Sequence, residues 1–405
     1  MRVAGIIAEY NPFHSGHAWQ LQQVKSMGYD AAVCVVSPGV CQRGSVCLYP
    51  AAVRVQAALA GGADLVLTLP SVYATAGAEQ FAAAAVHLLS SLGVVEAVCF
   101  GAETPDAALL AQTAHNLYGQ PFKEALRIQL KKGIAFAAAR SAALEMVQPG
   151  AGAILRSPNN ILGIEYCKAI LMQQSNLCAV ALPRQGAAHD APLAGSTAQA
   201  GPGSGIASAT ALRALCGQSG AAAMAPYVPA ACLPLYLQAE ASGQTLDRQK
   251  FDIAVLSRLR AMSAADFAKI RGVGEGLENR LAAAVQYAAN TDELYTALKS
   301  KRYAHARLRR LVLDAALGVH NDVPPLPPYL HLAGANATGL MVLKQAKGKT
   351  ALPMADSLAQ LRGQSAAAQT VGQYHAAAES LSALCRTVPQ PAATAYTQKF
   401  ITCEE

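Results

Sequence analysis

The chain has 405 residues, 53% of them apolar and only 14% charged, where an average soluble domain carries roughly 25% charged residues. That composition excludes disorder as the main state and supplies core enough for two or three domains. The formal charge of +7 comes from 32 Lys and Arg against 25 acids, and it permits a nucleic-acid partner only where the cations cluster.

In chain order, Arg2 to Ala8 reads as a short buried strand ending in a polar loop, and a helix follows from about His17 to Met27. Ala31 to Ser37 is a second strand, Pro50 to Ala60 a helix, and Asp64 to Leu69 a third strand. Glu79 to Leu92 is helical, and Val94 to Phe100 is a fourth strand ending at Gly101. Short continuous apolar runs separated by helices indicate a parallel sheet covered on both faces. The fold class is therefore α/β, a doubly wound, Rossmann-like domain with its ligands at the carboxyl ends of the strands.

Helical stretches from about Glu124 to Met146 and from Asn160 to Gln173 continue this domain, and Cys178 to Leu182 adds a strand. Residues 185–205, rich in Gly, Ala, Ser and Pro, read as a mobile loop. A helix begins at Thr210, and residues 245–317 are helical around a turn at Arg271 to Gly276. The segment 323–328 (VPPLPP) reads as a linker. Past it, Tyr329 to Ala333 and Leu340 to Gln345 read as a strand and a helix. The expected division is an α/β domain over 1–215, a helical domain over 216–322 and a small C-terminal α/β appendage over 323–405.

Ten cysteines contain no C-x-x-C pair, and several sit inside apolar runs, where free Cys is a small buried hydrophobe. No local ligand set for zinc is present. Met1 to Gly5 leads straight into a strand-like run without a cleavable signal pattern. The longest uncharged stretch, between Arg213 and Glu240, is broken by Pro226, Pro229 and Pro234, so a membrane span is not expected there. The expected location is cytoplasmic.

The most informative segment is Gly5 to His17, GIIAEYNPFHSGH. A strand ends at Glu9-Tyr10-Asn11-Pro12, and His14-Ser15-Gly16-His17 opens a helix. A helix N-terminus offers unpaired backbone N–H groups and a positive dipole end, which suits phosphate. Gly16 allows close approach of a ligand, and the two imidazoles can donate to phosphate oxygens whose charge rises during attack at phosphorus. The alternatives are a zinc pair, which lacks a third ligand, and two ordinary cap histidines.

His-x-Gly-His after a first strand resembles the nucleotidylyltransferase and class I synthetase-like superfamily. The longer string EYNPFHSGH resembles the bacterial tRNA(Met) cytidine acetate ligases. Further blocks of that family follow in order: Ser37 to Gly44 (SPGVCQRG), Gly62 to Val66 with Leu69-Pro70, Phe100 to Glu103, Pro158 to Tyr166 (PNNILGIEY), Arg184, Ile206 to Arg213 (IASATALR) and Lys299 to Arg310 (KSKRYAHARLRR). The resemblance covers about residues 1–345. It implies a ligase that forms acetyl-adenylate from ATP and acetate, then acetylates N4 of the wobble cytidine of elongator tRNA(Met). Magnesium is expected to be bound with ATP, held mostly by phosphates and water. The competing function is a nucleotidylyltransferase or carboxylate-activating ligase on the same fold, acting on small molecules without RNA.

The same resemblance implies the site. Ile7, Ala8, Glu9, Tyr10, Asn11, Pro12, Phe13, His14, Ser15, Gly16, His17, Ala18, Trp19 and Gln20 form the ATP-binding strand, loop and helix start, with His14 and His17 as the catalytic pair. Gly101, Asn160, Arg184 and Ser208 join them, with Thr210 and Arg213 near a second phosphate-binding helix start. Each has a purely structural alternative: Gly101 as a strand-ending turn, Asn160 as the N-cap of a helix beginning at Ile161, Arg184 as a solvated charge, and Ser208 as a plain N-cap.

Lys299 to Arg310 carries six Lys or Arg in twelve residues. Ala304, Leu308, Leu311, Val312 and Ala315 fall at helical spacing, so this segment is expected to dock as a helix with a wet basic face. A solvated charged face is the alternative. The resemblance makes Lys299, Lys301, Arg302, Arg307, Arg309 and Arg310 the RNA-binding set. The chain departs from the family pattern at Ser45-Val46, where relatives carry Glu-Pro. It also departs between Leu48 and Arg54, which lacks a lysine, and at Ser15, which stands for Asn.

Overall fold

The computed structural model of the chain describes residues 1–184, 205–300, 303–392 and 394–403. The N-terminal half runs β1 (Val3–Ala8), α1 (Ser15–Ser26), β2 (Ala31–Val36), a short hairpin β3 (Val40–Cys41) and β4 (Ser45–Val46), α2 (Ala51–Ala60), β5 (Leu65–Thr68), α3 (Ser71–Ala74), α4 (Ala78–Ser91) and β6 (Ala97–Ala102). It continues through α5 (Ala107–Tyr118), α6 (Gln120–Leu130), α7 (Phe136–Val147), α8 (Pro158–Met172), β7 (Cys178–Pro183) and α9 (Ala209–Ser219). The single helix expected over 124–146 is two, α6 and α7. Gly133, at φ 72°, breaks the run, and the alanine-rich sequence gave no period that marks the turn.

β5, β2, β1, β6 and β7 lie side by side in that order and are parallel to one another. All six residues of β2 (AAVCVV) are buried, as a strand covered on both faces demands. β1 has β2 on one side and β6 on the other. The chain therefore leaves β1 in opposite directions, and the crevice beyond its carboxyl end is the topological switch point where open α/β sheets bind ligands.

The middle of the chain is helical, as expected: α10 (Leu233–Ala241), α11 (Arg248–Arg260), α12 (Ala264–Phe267), α13 (Leu277–Tyr287), α14 (Thr291–Leu298) and α15 (His305–Leu317). Arg271, in the turn after α12, forms an ion pair with buried Asp314 of α15 at 2.8 Å and donates to the Val72 carbonyl at 2.5 Å. That pair ties the helical region to α3.

The C-terminal region departs from expectation. It contains β8 (Leu330–Ala335), α16 (Ala337–Ala346), β9 (Met354–Ala355), α17 (Leu358–Arg362), α18 (Ala366–Leu384), α19 (Thr394–Thr397) and β10 (Ile401–Thr402). β8 pairs antiparallel with β5, from Leu65↔Ala335 to Thr68↔His331, and β10 pairs with β8. The region is thus the far side of the central sheet rather than an appendage. Its antiparallel strand reads from sequence like any short apolar run, and pairing with a strand so distant in the chain leaves no local signal.

α18 turns a buried polar edge toward the β2–β3 loop. Glu379 accepts a hydrogen bond from the Gly39 N–H at 2.5 Å, and His375 Nδ1 lies 3.1 Å from Ser71 Oγ. Just past α18, the fully buried Arg386 donates to the carbonyls of Cys47 at 3.0 Å, Leu48 at 3.1 Å and Gln244 at 3.4 Å. Arg54, equally buried, donates to the carbonyls of Glu9 at 2.6 Å and Tyr49 at 3.2 Å, and also to that of Pro38. Two guanidiniums inside the protein thereby satisfy the Cys47 and Tyr49 carbonyls, which the irregular 38–49 segment would otherwise bury unpaired.

Candidate functional site

A cavity of about 600 Å³ opens at the carboxyl ends of β1, β6 and β7. The N-terminal ends of α1, α8, α9 and α15 all border it, through His14, Pro158, Ser208 and His305. Its described lining includes five arginines, Arg43, Arg184, Arg213, Arg309 and Arg310, and one carboxylate, Glu9. Helix N-termini with this charge balance favour an anionic ligand.

The loop from β1 to α1 is fixed from several sides. Tyr10 takes φ 47°, and the Asn11–Pro12 peptide is cis. Asn11 Oδ1 accepts from the Leu48 N–H at 2.8 Å, and its carbonyl accepts from Arg213 at 2.7 Å. Phe13 is fully buried, with its carbonyl held by the Tyr236 hydroxyl at 2.9 Å. The helix then starts with a reciprocal cap. His14 Nδ1 accepts from the Gly16 N–H at 3.1 Å, and His17 Nδ1 accepts from the His14 N–H at 3.3 Å.

The two imidazole rings stack with centroids 3.8 Å apart. Burial, with Arg184 and Arg213 nearby, lowers the His14 pKa from 6.5 to about 4, and burial beside His14 and Arg184 holds His17 well below its ordinary value. Both rings are therefore neutral at pH 7. With each Nδ1 accepting a backbone N–H, each proton sits on Nε2. The cap and the donor are two ends of one ring: Nδ1 orients it, and Nε2–H is left to donate.

Arg184 follows β7. It pairs with Glu103 at 3.5 Å, and its N–H donates to the Ala102 carbonyl at 3.2 Å. Ser208 is the N-cap of α9, its Oγ accepting from the Ala211 N–H at 3.2 Å, and it lines the cavity beside Thr210 and Arg213. Gly101 lies within β6, which runs on to Ala102, and a Cβ placed on it meets nothing within 4 Å. Any side chain there projects into the cavity.

Asn160 is elsewhere. It is not the N-cap of α8, which is Ser157, and it is 1% exposed. Its side chain accepts from the Thr104 N–H at 2.9 Å and donates to Thr104 Oγ1 at 3.1 Å, clamping the loop after β6. Its neighbours Asn159 and Ile161 face the cavity instead. Of the expected ATP segment, Ile7, Ala8, Glu9, Tyr10, Asn11, His14, Gly16, His17, Trp19 and Gln20 border the cavity, while Pro12, Phe13, Ser15 and Ala18 do not.

The basic stretch divides. Lys301 and Arg302 lie outside the described residues, as does the loop expected over 185–205 except for Gly205. Lys299 caps the end of α14, and α15 begins only at His305. Ala304, expected in the apolar stripe, is exposed at the N-cap, while Leu308, Leu311, Val312 and Ala315 are buried. Arg307 is exposed and lies over the Tyr303 ring at 4.8 Å. Arg309 and Arg310 turn inward and line the cavity with His305. One side of a single helical turn thus reaches the cavity and the other faces solvent.

Residues that sequence reasoning gave no role also line the cavity. Gln42 and Arg43 arrive on the hairpin, whose Gly44, at φ 74°, sits so close to α15 that a Cβ would come within 2.5 Å of the Arg309 backbone. Only glycine fits such an approach. Phe81, Phe100, Leu162 and Tyr166 form an apolar wall that no sequence signal separates from ordinary core. Among the described residues, no group of three or more His, Cys, Asp or Glu is placed to hold a metal ion. No helix among them is long and apolar enough to cross a membrane.

The family description HIGH Nucleotidyl Transferase matches residues 1–395. A tRNA(Met) cytidine acetate ligase of Caldanaerobacter subterraneus subsp. tengcongensis is 35% identical over 372 residues, covering 89% of this chain and 90% of that protein. One from Clostridium perfringens is 34% identical over 385 residues, covering 90% of this chain and 92% of the relative. The crystal structure of Thermotoga maritima TmcAL bound with alpha-thio ATP superimposes with a TM-score of 0.88 at 25% identity, over 100% of both chains. The apo form of the same protein gives a TM-score of 0.86.

Proposed function

The chain belongs to the HIGH nucleotidyl transferase family and, within it, to the tRNA(Met) cytidine acetate ligases, and from that premise we propose how its cavity carries out the reaction. It is an ATP-using ligase acting on tRNA. ATP and acetate first give acetyl-adenylate and pyrophosphate. The acetyl group then passes to N4 of the wobble cytidine of elongator tRNA(Met).

The observation that carries this reading is the pair of neutral imidazoles with Nδ1 held by backbone N–H groups. Their Nε2–H groups donate to the α-phosphate as a carboxylate oxygen of acetate attacks phosphorus and charge builds on the phosphate oxygens. The arrangement is fixed before substrate arrives, so no reorganisation opposes the step. Arg184, Arg213 and the α9 N-terminus at Ser208 hold the remaining phosphate charge, and Gly101 leaves room for the nucleoside. Asn160 acts one step removed, through the loop it clamps. Magnesium comes in with ATP, bound to phosphates and water, since a lone carboxylate is no protein cage for it.

Division of labour follows the chain. Residues 1–215 supply the nucleotide pocket, and 216–322 supply the tRNA face. Residues 323–405 brace the sheet and the hairpin. Arg307, Arg309, Arg310 and Lys299 contact tRNA phosphates, and Lys301 and Arg302, outside the described residues, belong to the same set by their place in the sequence. A tRNA substrate places the reaction in the cytoplasm.

The test combines radiolabelled acetate, ATP, magnesium and total bacterial tRNA lacking the modification. Label is expected in N4-acetylcytidine, dependent on ATP and lost in His17→Ala. Pyrophosphate formed with acetate while RNA stays unlabelled points instead to a small-molecule acceptor.

A further inference from the structure

Transfer of the acetyl group needs a proton acceptor. The exocyclic amine of cytosine is a poor nucleophile, and its N–H becomes strongly acidic once N4 bonds to the carbonyl carbon. His14 and His17 are unsuited to the task because each Nδ1 lone pair already accepts a backbone N–H. His305 sits on the exposed first turn of α15, at the edge of the cavity and on a different element from the β1–α1 loop that carries His14 and His17. The arginines that line the cavity have no proton to gain.

Glu9 remains. It follows β1 directly and is the only carboxylate among the described residues that line the cavity. Its backbone is pinned by Arg54, which donates to its carbonyl at 2.6 Å. Its Oε1 accepts from the Gln42 N–H at 2.9 Å, while Oε2 makes no hydrogen bond to any described residue. One oxygen fixes the carboxylate, and the other keeps its lone pairs free of described partners on a residue that borders the cavity.

We propose that Glu9 is the general base of acetyl transfer, resting on the tRNA ligase reading above. N4 bonds to the acetyl carbonyl carbon, and Glu9 Oε2 takes one N4 proton. The bond from that carbon to the phosphate oxygen then breaks, AMP leaves with the electron pair, and protonated Glu9 returns its proton to water. Before the step, the carboxylate accepts a hydrogen bond from the N4 amine, as acidic side chains do at cytosine. A uracil presents a carbonyl oxygen at the same place and is repelled. Glu9 thereby contributes to base selection as well as to rate.

The test bypasses the first reaction. Full-length wild type, E9Q and E9A are given synthetic acetyl-adenylate and unmodified tRNA(Met) transcript, and transfer is followed in a single turnover. Thermal melting checks that each variant is folded. Transfer by both variants at saturating tRNA is expected to fall at least about 100-fold, in the range of a lost general base. E9Q is the deciding variant, because its amide oxygen still accepts from the Gln42 N–H. Normal transfer by E9Q with loss in E9A alone makes Glu9 a positioning residue and overturns the proposal. Normal transfer by both makes the leaving phosphate its own base, with the same consequence. A defect that vanishes once acetyl-adenylate is supplied assigns Glu9 to ATP activation and also overturns it. If wild type itself fails to transfer, the tRNA reading fails and takes this proposal with it.

Discussion

His14 caps the helix on which His17 stands, and the His17 side chain accepts in return from the His14 N–H at 3.3 Å. Replacing either ring by Ala removes an Nε2–H donor, and acetate-dependent exchange of pyrophosphate into ATP should fall roughly two to three orders of magnitude. Ala also removes a cap contact, at about 1 kcal/mol. His14→Asn separates the two effects, since Asn caps well and has no donor at the Nε2 position. It should melt like wild type and exchange like Ala. Wild-type exchange in His14→Asn would remove the phosphate role.

Gly101 gives a cleaner probe of the nucleotide. A Cβ there meets no protein atom within 4 Å, so Gly101→Val should leave the melting temperature nearly unchanged. The same side chain intrudes where the nucleoside sits, and KM for ATP should rise about tenfold or more, equivalent to 1.4 kcal/mol or above. An unchanged KM would place the nucleotide elsewhere in the cavity.

The arginines of α15 should behave as two classes. Arg307→Glu, on the exposed side, should weaken tRNA binding and reduce the slope of affinity against salt by about one or two phosphate contacts. Arg310→Ala, on the cavity side, should in addition slow acetyl-adenylate formation in the absence of tRNA. Identical behaviour of the two variants in both assays would contradict this division.

Buried histidines set the response to acid. His14, His331 and His375 each have a pKa lowered to about 4 by burial, and His17 is lowered too. Between pH 6.5 and 4 the unfolded chain takes up protons at these sites and the folded chain does not, so stability falls as pH drops through that window. Asp314, raised to about 6 by burial against the pull of Arg271, works the other way between its ordinary pKa and 6. One opposing group against several histidines leaves the net slope unchanged in sign. Melting temperature should decline from pH 7 toward pH 4, and also above about pH 8, where buried thiols such as Cys34, Cys99 and Cys232 keep protons that the unfolded chain loses; His375→Gln should make the acid decline shallower. A melting temperature that rises on acidification below pH 7 would refute the assignment.

Arg386→Ala strands the carbonyls of Cys47 and Gln244, while that of Leu48 keeps the Leu246 N–H at 2.9 Å. Each unsatisfied buried acceptor costs about 1–3 kcal/mol, so a loss of about 3 kcal/mol or more is expected in urea unfolding. Lys cannot reach several carbonyls at once with the planar fork that Arg supplies, and it should recover little. A loss under about 1 kcal/mol would mean that the 38–49 segment is held by other contacts.

How much of this was legible beforehand depends on whether the signal was local. β1, β2, β5 and β6 show as continuous apolar runs because strands covered on both faces must be apolar throughout. His14 and His17 show because a helix start with two imidazoles has few structural uses. Asn160 was in the right place in the chain, yet its side chain holds Thr104 from behind the cavity, and only three-dimensional packing distinguishes it from Asn159. The basic stretch looked like one helical face, but α15 starts at His305, so Arg307 and Arg310 separate to solvent and cavity. Phe81, Phe100 and Tyr166 were invisible as site residues because a wall against ligand and a wall against core use the same side chains.

The pairing of β8 with β5 bears on how the molecule comes into being. As the ribosome delivers the chain, every strand of the parallel set is complete long before residue 330 emerges. Until then β5 presents an open, apolar edge of the kind that recruits other chains. Contacts between such distant segments also make folding slow. Newborn molecules are thus at greatest risk late in synthesis, and a message truncated before the last third yields a sticky product with no half-working enzyme. Fragments ending near residue 215 contain every strand of the nucleotide pocket and still lack the one that closes its flank.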